Sequence, residues 1–305
     1  MSSWAFSCAA GRFEDRRGTL AALARGLVRV AWLSIAGLST LACAPKVSVG
    51  GWQCPAADVI GDGGASPVSS TDPVPVPWST GFEDGFCGYP TADDQSSDGP
   101  GFCYGDKPYA LVTEPHRPGG HYAAEFSVIG DMAHAQNQTR CVRQGKLPDA
   151  AYYGAWYFIP EALVSVQSAW NLFHFTGGDA PGQMLGSLWD VHLNNAGMPA
   201  GQWELVVYDP LAKDNDTYSS AAHKPVPIGS WFHIVLFLKR AADSSGEIAL
   251  YQDDELLFDQ SNLKSDASNF GQWYVGDWAP NAVPLDSSLY VDDVSISATL
   301  DGATQ

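Results

Sequence analysis

Residues 231–259 read WFHIVLFLKRAADSSGEIALYQDDELLFD, three short apolar runs broken by polar residues and glycine. Each run alternates or is dense in β-branched and aromatic residues, which is how strands rather than helices read. Asp253-Asp254 separates two of them and predicts a hairpin turn. The same pattern extends outward in both directions. HYAAEFSVI (121–129), YYGAWYFI (152–159), NLFHF (171–175), SLWDVHL (187–193) and WELVVYD (203–209) precede it, and QWYVGDW (272–278) and SLYVDDVSIS (288–297) follow. More than eight strands in one domain predict an all-β fold, a two-sheet antiparallel sandwich or jelly roll. One short helical turn is expected in EALVSVQSAW (161–170), after Pro160.

The N-terminus has a different composition. Arg12, Arg16, Arg17, Arg25 and Arg29 precede VAWLSIAGLSTLA (30–42), and this reads as a signal for export. The apolar run has 13 residues, too few to span about 30 Å of hydrocarbon as a helix. Cys43 after Leu41-Ala42 is placed as in a lipobox, with Thr40 where a branched apolar residue is usual. The expected organisation is a signal over 1–42, a lipid-anchor Cys43, a Gly/Pro/Ser-rich linker over 43–78 and a jelly-roll domain over 79–300. The linker prolines keep that segment extended and its composition buries little. The only membrane contact expected is through the anchor.

The whole chain carries a net charge of −18, and loss of residues 1–42 leaves 11 basic against 32 acidic residues. That balance excludes nucleic acid as a partner, since phosphate binding needs positive patches. Of the six cysteines, Cys8 lies in the signal and Cys43 at the anchor, so Cys54, Cys87, Cys103 and Cys141 remain. An even number in an exported chain predicts two disulfides, with three connectivities open. Their spacing lacks the close pairs of a zinc site.

Period-two alternation assigns faces. Phe173 and Phe175 suit the core and leave Trp170, His174 and Thr176 opposite. Trp189, Val191 and Leu193 suit the core and leave Asp190, His192 and Asn194 opposite. Tyr122, Ala124, Phe126 and Val128 leave His121, Glu125 and Ser127. A face carrying His174, His192, Asp190, Asn194, Glu125 and an exposed Trp170 suits a polysaccharide, with rings for stacking and amides and carboxylates for hydroxyls. A merely solvated sheet face produces the same alternation. Arg140, Arg143 and Lys146 form the densest basic cluster, able to meet a carboxylate or to brace a loop around Cys141.

In its order of strands the chain resembles the concanavalin A-like lectin/glucanase jelly rolls, and among them polysaccharide lyases of the alginate-lyase and heparin-lyase type. The likeness spans about 79–299, from GFEDG (81–85) as a first strand, through YYGAWYFIPEA (152–162), to LYVDDVSIS (289–297) as the last. Such lyases place catalytic groups in an Arg-x-Glu, a Gln-x-His and a Tyr-x-Lys-x-Gly-x-Tyr strand. Here Ala123-Ala124-Glu125 keeps the Glu, Leu172-Phe173-His174 keeps the His, and Tyr274 to Trp278 keeps the Gly, with Trp278 for the last Tyr. The resemblance implies β-elimination on a uronate glycan, which needs carboxylate neutralisation, a base and an acid. The expected base is His174, helped by His192. Tyr274 or Tyr208 is the expected acid, and Asn194 or Asn171 polarises the carboxylate, although alternation puts Asn171 on the core side. Trp170, Asp190, Glu125, Trp278, Arg140 and Arg143 are the expected substrate contacts.

Two other readings follow from the residues. Hydrolases of this fold use a Glu-x-Asp-x-x-Glu strand, absent here. A non-catalytic carbohydrate-binding sandwich is the alternative. In many such modules an opening Glu and a closing Asp hold a structural Ca²⁺, which by resemblance makes Glu83 and Asp293 candidate ligands with oxygen donors suited to it. No cofactor is expected for the chemistry.

Overall fold

The computed structural model describes residues 72–89, 99–105, 109–129, 137–161, 164–165, 170–178, 186–195, 197–209, 217–219, 223–266, 268–279, 282–283 and 286–304. The expected signal, the Cys43 anchor, Cys54 and most of the linker lie outside these residues.

Strands dominate. They are β1 (Trp78–Thr80), β2 (Gly101–Gly105), β3 (Ala110–Val112), β4 (Ala123–Ile129), β5 (Gln138–Gly145) and β6 (Ala150–Phe158). Next come β7 (Val164–Ser165), β8 (Trp170–Gly178), β9 (Gly186–Asn194), β10 (Glu204–Tyr208), β11 (Thr217–Ser219) and β12 (Trp231–Lys239). The last are β13 (Gly246–Gln252), β14 (Glu255–Leu263), β15 (Phe270–Trp278), β16 (Ala282–Val283) and β17 (Asp286–Ser297), followed by one helical turn, α1 (Leu300–Ala303). Two sheets hold nearly all of them. One runs β14-β13-β12-β6-β17-β4-β3 with β1 on β17; the other runs β11-β10-β9-β8-β15-β5-β2. Every strand pair in them is antiparallel. The fold is the two-sheet jelly-roll sandwich that the alternation implies.

The hairpin at Asp253-Asp254 forms, with both residues at positive φ (52° and 64°), as a two-residue turn of matching twist requires. In 161–170, Val164–Ser165 pairs with β16 as a strand, and the remaining positions of the expected helical turn, 162–163 and 166–169, lie outside the described residues. GFEDG (81–85) is a turn after β1 rather than the first strand, because Gly81 and Gly85 flank a residue, Phe82, at φ 58° and the chain reverses there.

Aromatic side chains join the sheets across the core. Tyr153 on β6 packs edge-on against Phe175 and Trp273 of the opposite sheet, both at 5.0 Å between centroids. Tyr157 lies 5.9 Å from Phe173. Each such ring buries a large apolar area, and edge-to-face pairs add to it. Cys103 and Cys141, facing each other on β2 and β5, form a disulfide, which selects one of the pairings left open by the sequence. Cys87 is also disulfide-bonded. At one end of the sandwich Arg240 is ion-paired with Asp266 and donates to the backbone oxygens of Leu147 (2.6 Å) and Ser268. Among the described residues no helix is long and apolar enough to cross a membrane.

Candidate active site

The seven-stranded sheet turns one face away from the core. On β9, alternation from Trp189 to Asn194 sends Val191 and Leu193 inward and Asp190, His192 and Asn194 to this outer face. β8 lies beside it, with His174 opposite Asp190 and Asn171 opposite His192. These two pairings have different parity along β8, so an extra residue, Leu172, is inserted between them. This is a β-bulge, two residues on one strand against one on the other. It reverses the expected faces of the two residues before it. Asn171 comes onto the outer face, and Trp170 turns inward, 1% exposed. The expectation of an exposed Trp170 platform is therefore corrected: its Nε1 donates to buried Asp277 at 2.6 Å.

On the outer face the groups meet. His174 Nδ1 hydrogen-bonds Asp190 Oδ1. His192 Nε2 is 3.1 Å from Asn171 Nδ2 and 3.5 Å from Asp190 Oδ2. Tyr208 on β10 stacks on His192 at 5.5 Å and 16°, and Tyr274 on β15 packs against His174 at 4.9 Å. The Tyr274 hydroxyl hydrogen-bonds Gln272. Arg140 on β5 lies over Tyr274 (5.6 Å) and Trp278 (5.7 Å), and among the described residues it has no carboxylate partner within 4.0 Å. Asn194 lies on the same face one row beyond His192, opposite Glu204.

Burial sets the protonation of these groups. It holds His174 below the ordinary histidine value, against the opposing pull of Asp190. For Asp190, burial acts upward, but hydrogen bonds from His174 and His192 outweigh it and keep the carboxyl well below its usual range. The pair therefore consists of a carboxylate accepting from Nδ1–H of a neutral imidazole. That fixes the tautomer and leaves His174 Nε2 as a proton acceptor. Burial raises the Tyr274 phenol, keeping it protonated. Asn171 Oδ1 is buried with no hydrogen-bond partner, an arrangement a ligand donor would complete.

Two other expected contacts are elsewhere. Glu125 is on β4, in the eight-stranded sheet, where Ser288 Oγ donates to it at 3.1 Å. Alternation separates inside from outside but does not say which of two outsides a residue occupies. Arg143 is three residues from Arg140 on one strand, so it points to the opposite side. There it donates to Gly88 O (3.1 Å) and lies 4.7 Å over Trp78. Glu83 accepts from the backbone N–H groups of His121 (2.7 Å) and Tyr122 (3.2 Å). Asp293 is ion-paired with Arg117, whose guanidinium stacks 3.8 Å over Trp156.

The sequence reading missed Gln138, Gln144 and Tyr104, which join Arg140 on the outer face through β5 and β2. Even-numbered positions of QTRCVRQ (138–144) would have flagged the two glutamines. Glu204, 2% exposed and bonded to His223 at 2.8 Å, lies opposite Asn194.

Asp277, beneath this face, is pushed up to about 7 by burial, with Trp170 and Arg140 acting the other way. A carboxyl raised above its unfolded value of 3.8 contributes stability that is complete below that value and lost as pH rises through about 7. Asp277→Asn keeps an acceptor for Trp170 without the charge. Urea midpoints are expected to be higher for the variant at pH 8 and to converge with the parent toward pH 4.

A family model described as polysaccharide lyase matches residues 91–295. No curated protein matches the chain. Among solved structures, endo-β-1,4-glucuronan lyase from the fungus Trichoderma reesei superposes with a TM-score of 0.51 at 15% identity, over 66% of this chain and 92% of that one. The marine alginate lyase from Aplysia kurodai gives 0.48 at 15% identity, over 73% and 99%. Alginate lyase vAL-1 from Chlorella virus gives 0.44 at 12%, over 66% and 94%. At these identities the likeness is one of fold.

Proposed function

Because the chain belongs to the polysaccharide lyase family, whose model spans residues 91–295, we propose that the outer face of its seven-stranded sheet cleaves a uronate-containing glycan by β-elimination. The observation that carries this is the Asp190–His174 pair set against Tyr274, with Arg140 over the same ring. Elimination needs a base for the proton on C5, an acid for the oxygen leaving C4, and relief of the charge that develops on the carboxylate.

His174 Nε2 takes the C5 proton, and Asp190 steadies the imidazolium that results. The electron pair from the C–H bond forms the C4–C5 double bond as the C4–O bond breaks. The leaving oxygen takes its proton from Tyr274; solvent then returns a proton to the phenol and accepts the C5 proton from the His174 imidazolium. Arg140 and the Asn171 amide meet the uronate carboxylate. Tyr208 and His192 border the same surface on the other side and Trp278 offers a ring beside Arg140. The protein acts outside the cytoplasm, tethered through Cys43 by the linker.

The test is incubation of the exported domain with glucuronan, alginate and heparin-type glycans, followed by the ultraviolet absorbance of the unsaturated product. Absorbance on at least one uronate and none on neutral glycans is expected. Binding of uronates in affinity gels with no absorbance on any of them overturns the lyase reading in favour of a lectin-like role. A pH profile adds to this. Only neutral His174 is a base, and burial lowers its pKa. The acid limb of kcat/KM is therefore expected below the ordinary histidine value of 6.5. A limb above 6.5 contradicts the assignment.

A further inference from the structure

The bulge at Leu172 puts Asn171 on the outer face, and something must hold it there. Between β8 and β15 the ladder is interrupted at the same level: Val275 pairs with Phe173, and the next pairing is Trp278 with Asn171. The β15 ladder to β5 on its other side runs without a break, so the gap belongs to the β8 edge alone. A gap of this kind leaves backbone groups to satisfy in the core, where each one unpaired costs on the order of 1–3 kcal/mol.

One side chain fills it. Tyr157 projects from β6 of the opposite sheet across the core and is fully buried. Its hydroxyl donates to Leu172 O at 2.9 Å and accepts from Gly276 N–H at 3.2 Å. The phenol oxygen thus replaces the missing rung, joining the bulged residue of β8 to β15. Gly276 has φ 131°, and a Cβ there would meet Thr139 O at 2.6 Å, so only glycine presents its amide in this way. We propose that Tyr157 is a positioning residue of the active site: by bridging Leu172 and Gly276 it maintains the bulge that turns Asn171 toward His192. This rests on the reading of that face as the site of catalysis.

Tyr153, two turns of the pleat away on the same strand and also fully buried, supplies the control, because its hydroxyl has no partner. Tyr157→Phe and Tyr153→Phe remove the same atom from the same core. In the full chain Tyr157→Phe is expected to lower kcat by tenfold to a hundredfold, about what a misplaced catalytic surround costs, with a smaller change in KM. It is also expected to shift the NMR signals of the Asn171 side-chain amide and the His192 ring. Tyr153→Phe is expected to do neither.

Equal kcat losses in the two variants, or an unchanged Tyr157→Phe with unmoved Asn171 and His192 signals, overturns the proposal. In the unmodified chain a slowly exchanging Tyr157 hydroxyl proton with a cross-peak to the Gly276 amide is expected. Its absence overturns the bridge even if Tyr157→Phe does not fold. If the parent turns over no uronate, the lyase reading fails, while the NMR comparison still decides whether Tyr157 holds the bulge.

Discussion

Replacing His174 with alanine is expected to lower kcat on a uronate substrate about 10³-fold, within the range a positioned general base supplies, and to leave KM within a few-fold. The effect is large because no second group can take over. His192 Nε2 is already engaged with Asn171 and faces Asp190. Asp190 is spent in orienting His174. Asp190→Asn is expected to show a smaller loss, since it keeps the shape of the pair but releases the imidazole tautomer. Stopped assays over a range of glycan concentrations separate kcat from KM. A His174→Ala variant that retains parental kcat removes His174 from the mechanism. One that loses binding and turnover together makes it a substrate contact instead.

Arg240→Ala is expected to cost about 3–5 kcal/mol of stability, the range for breaking a buried ion pair from one side. Asp266 has no exposed side-chain surface and Arg240 is 6% exposed, so solvent cannot replace the missing partner. The loss also frees Leu147 O and Ser268 O, to which the guanidinium donates. A double variant, Arg240→Met with Asp266→Leu, removes both charges and is expected to recover much of the loss. Urea unfolding of the three proteins measures it. Equal midpoints for parent and Arg240→Ala show that the pair contributes no net stability.

The sandwich was legible because its strands declare themselves. WFHIVLFLK and EIALYQDDELLF are dense in β-branched, aromatic and other apolar residues, and the latter turns on two aspartates. Half of the site was legible for the same reason: β9 alternates from Trp189 to Asn194, so Asp190 and His192 fell together with His174. The other half depended on features that period two does not encode. A single extra residue, Leu172, exchanged the faces of Trp170 and Asn171. β5 went unread as a strand because it is polar on both faces, with Thr139 and Arg143 inward and Arg140 and Gln144 outward. That is why Arg140 and Arg143 looked like one cluster in the sequence and lie on opposite sides in space. Glu125 failed for a topological reason, since β4 follows the alternation rule but belongs to the other sheet.

The sheet orders carry a consequence for how the molecule comes into being. β15 stands between β8 and β5, and β17 between β6 and β4, yet both follow in the chain the strands they join. A chain halted before residue 270 holds two separated blocks of strands where each sheet should be. Pairings this distant along the chain also make folding slow. His174, Asp190, His192 and Tyr208 lie in the earlier block, β8 to β10, while Tyr274 and Trp278 arrive on β15 itself. The two halves of the proposed site meet only when β15 inserts between β8 and β5 like a keystone.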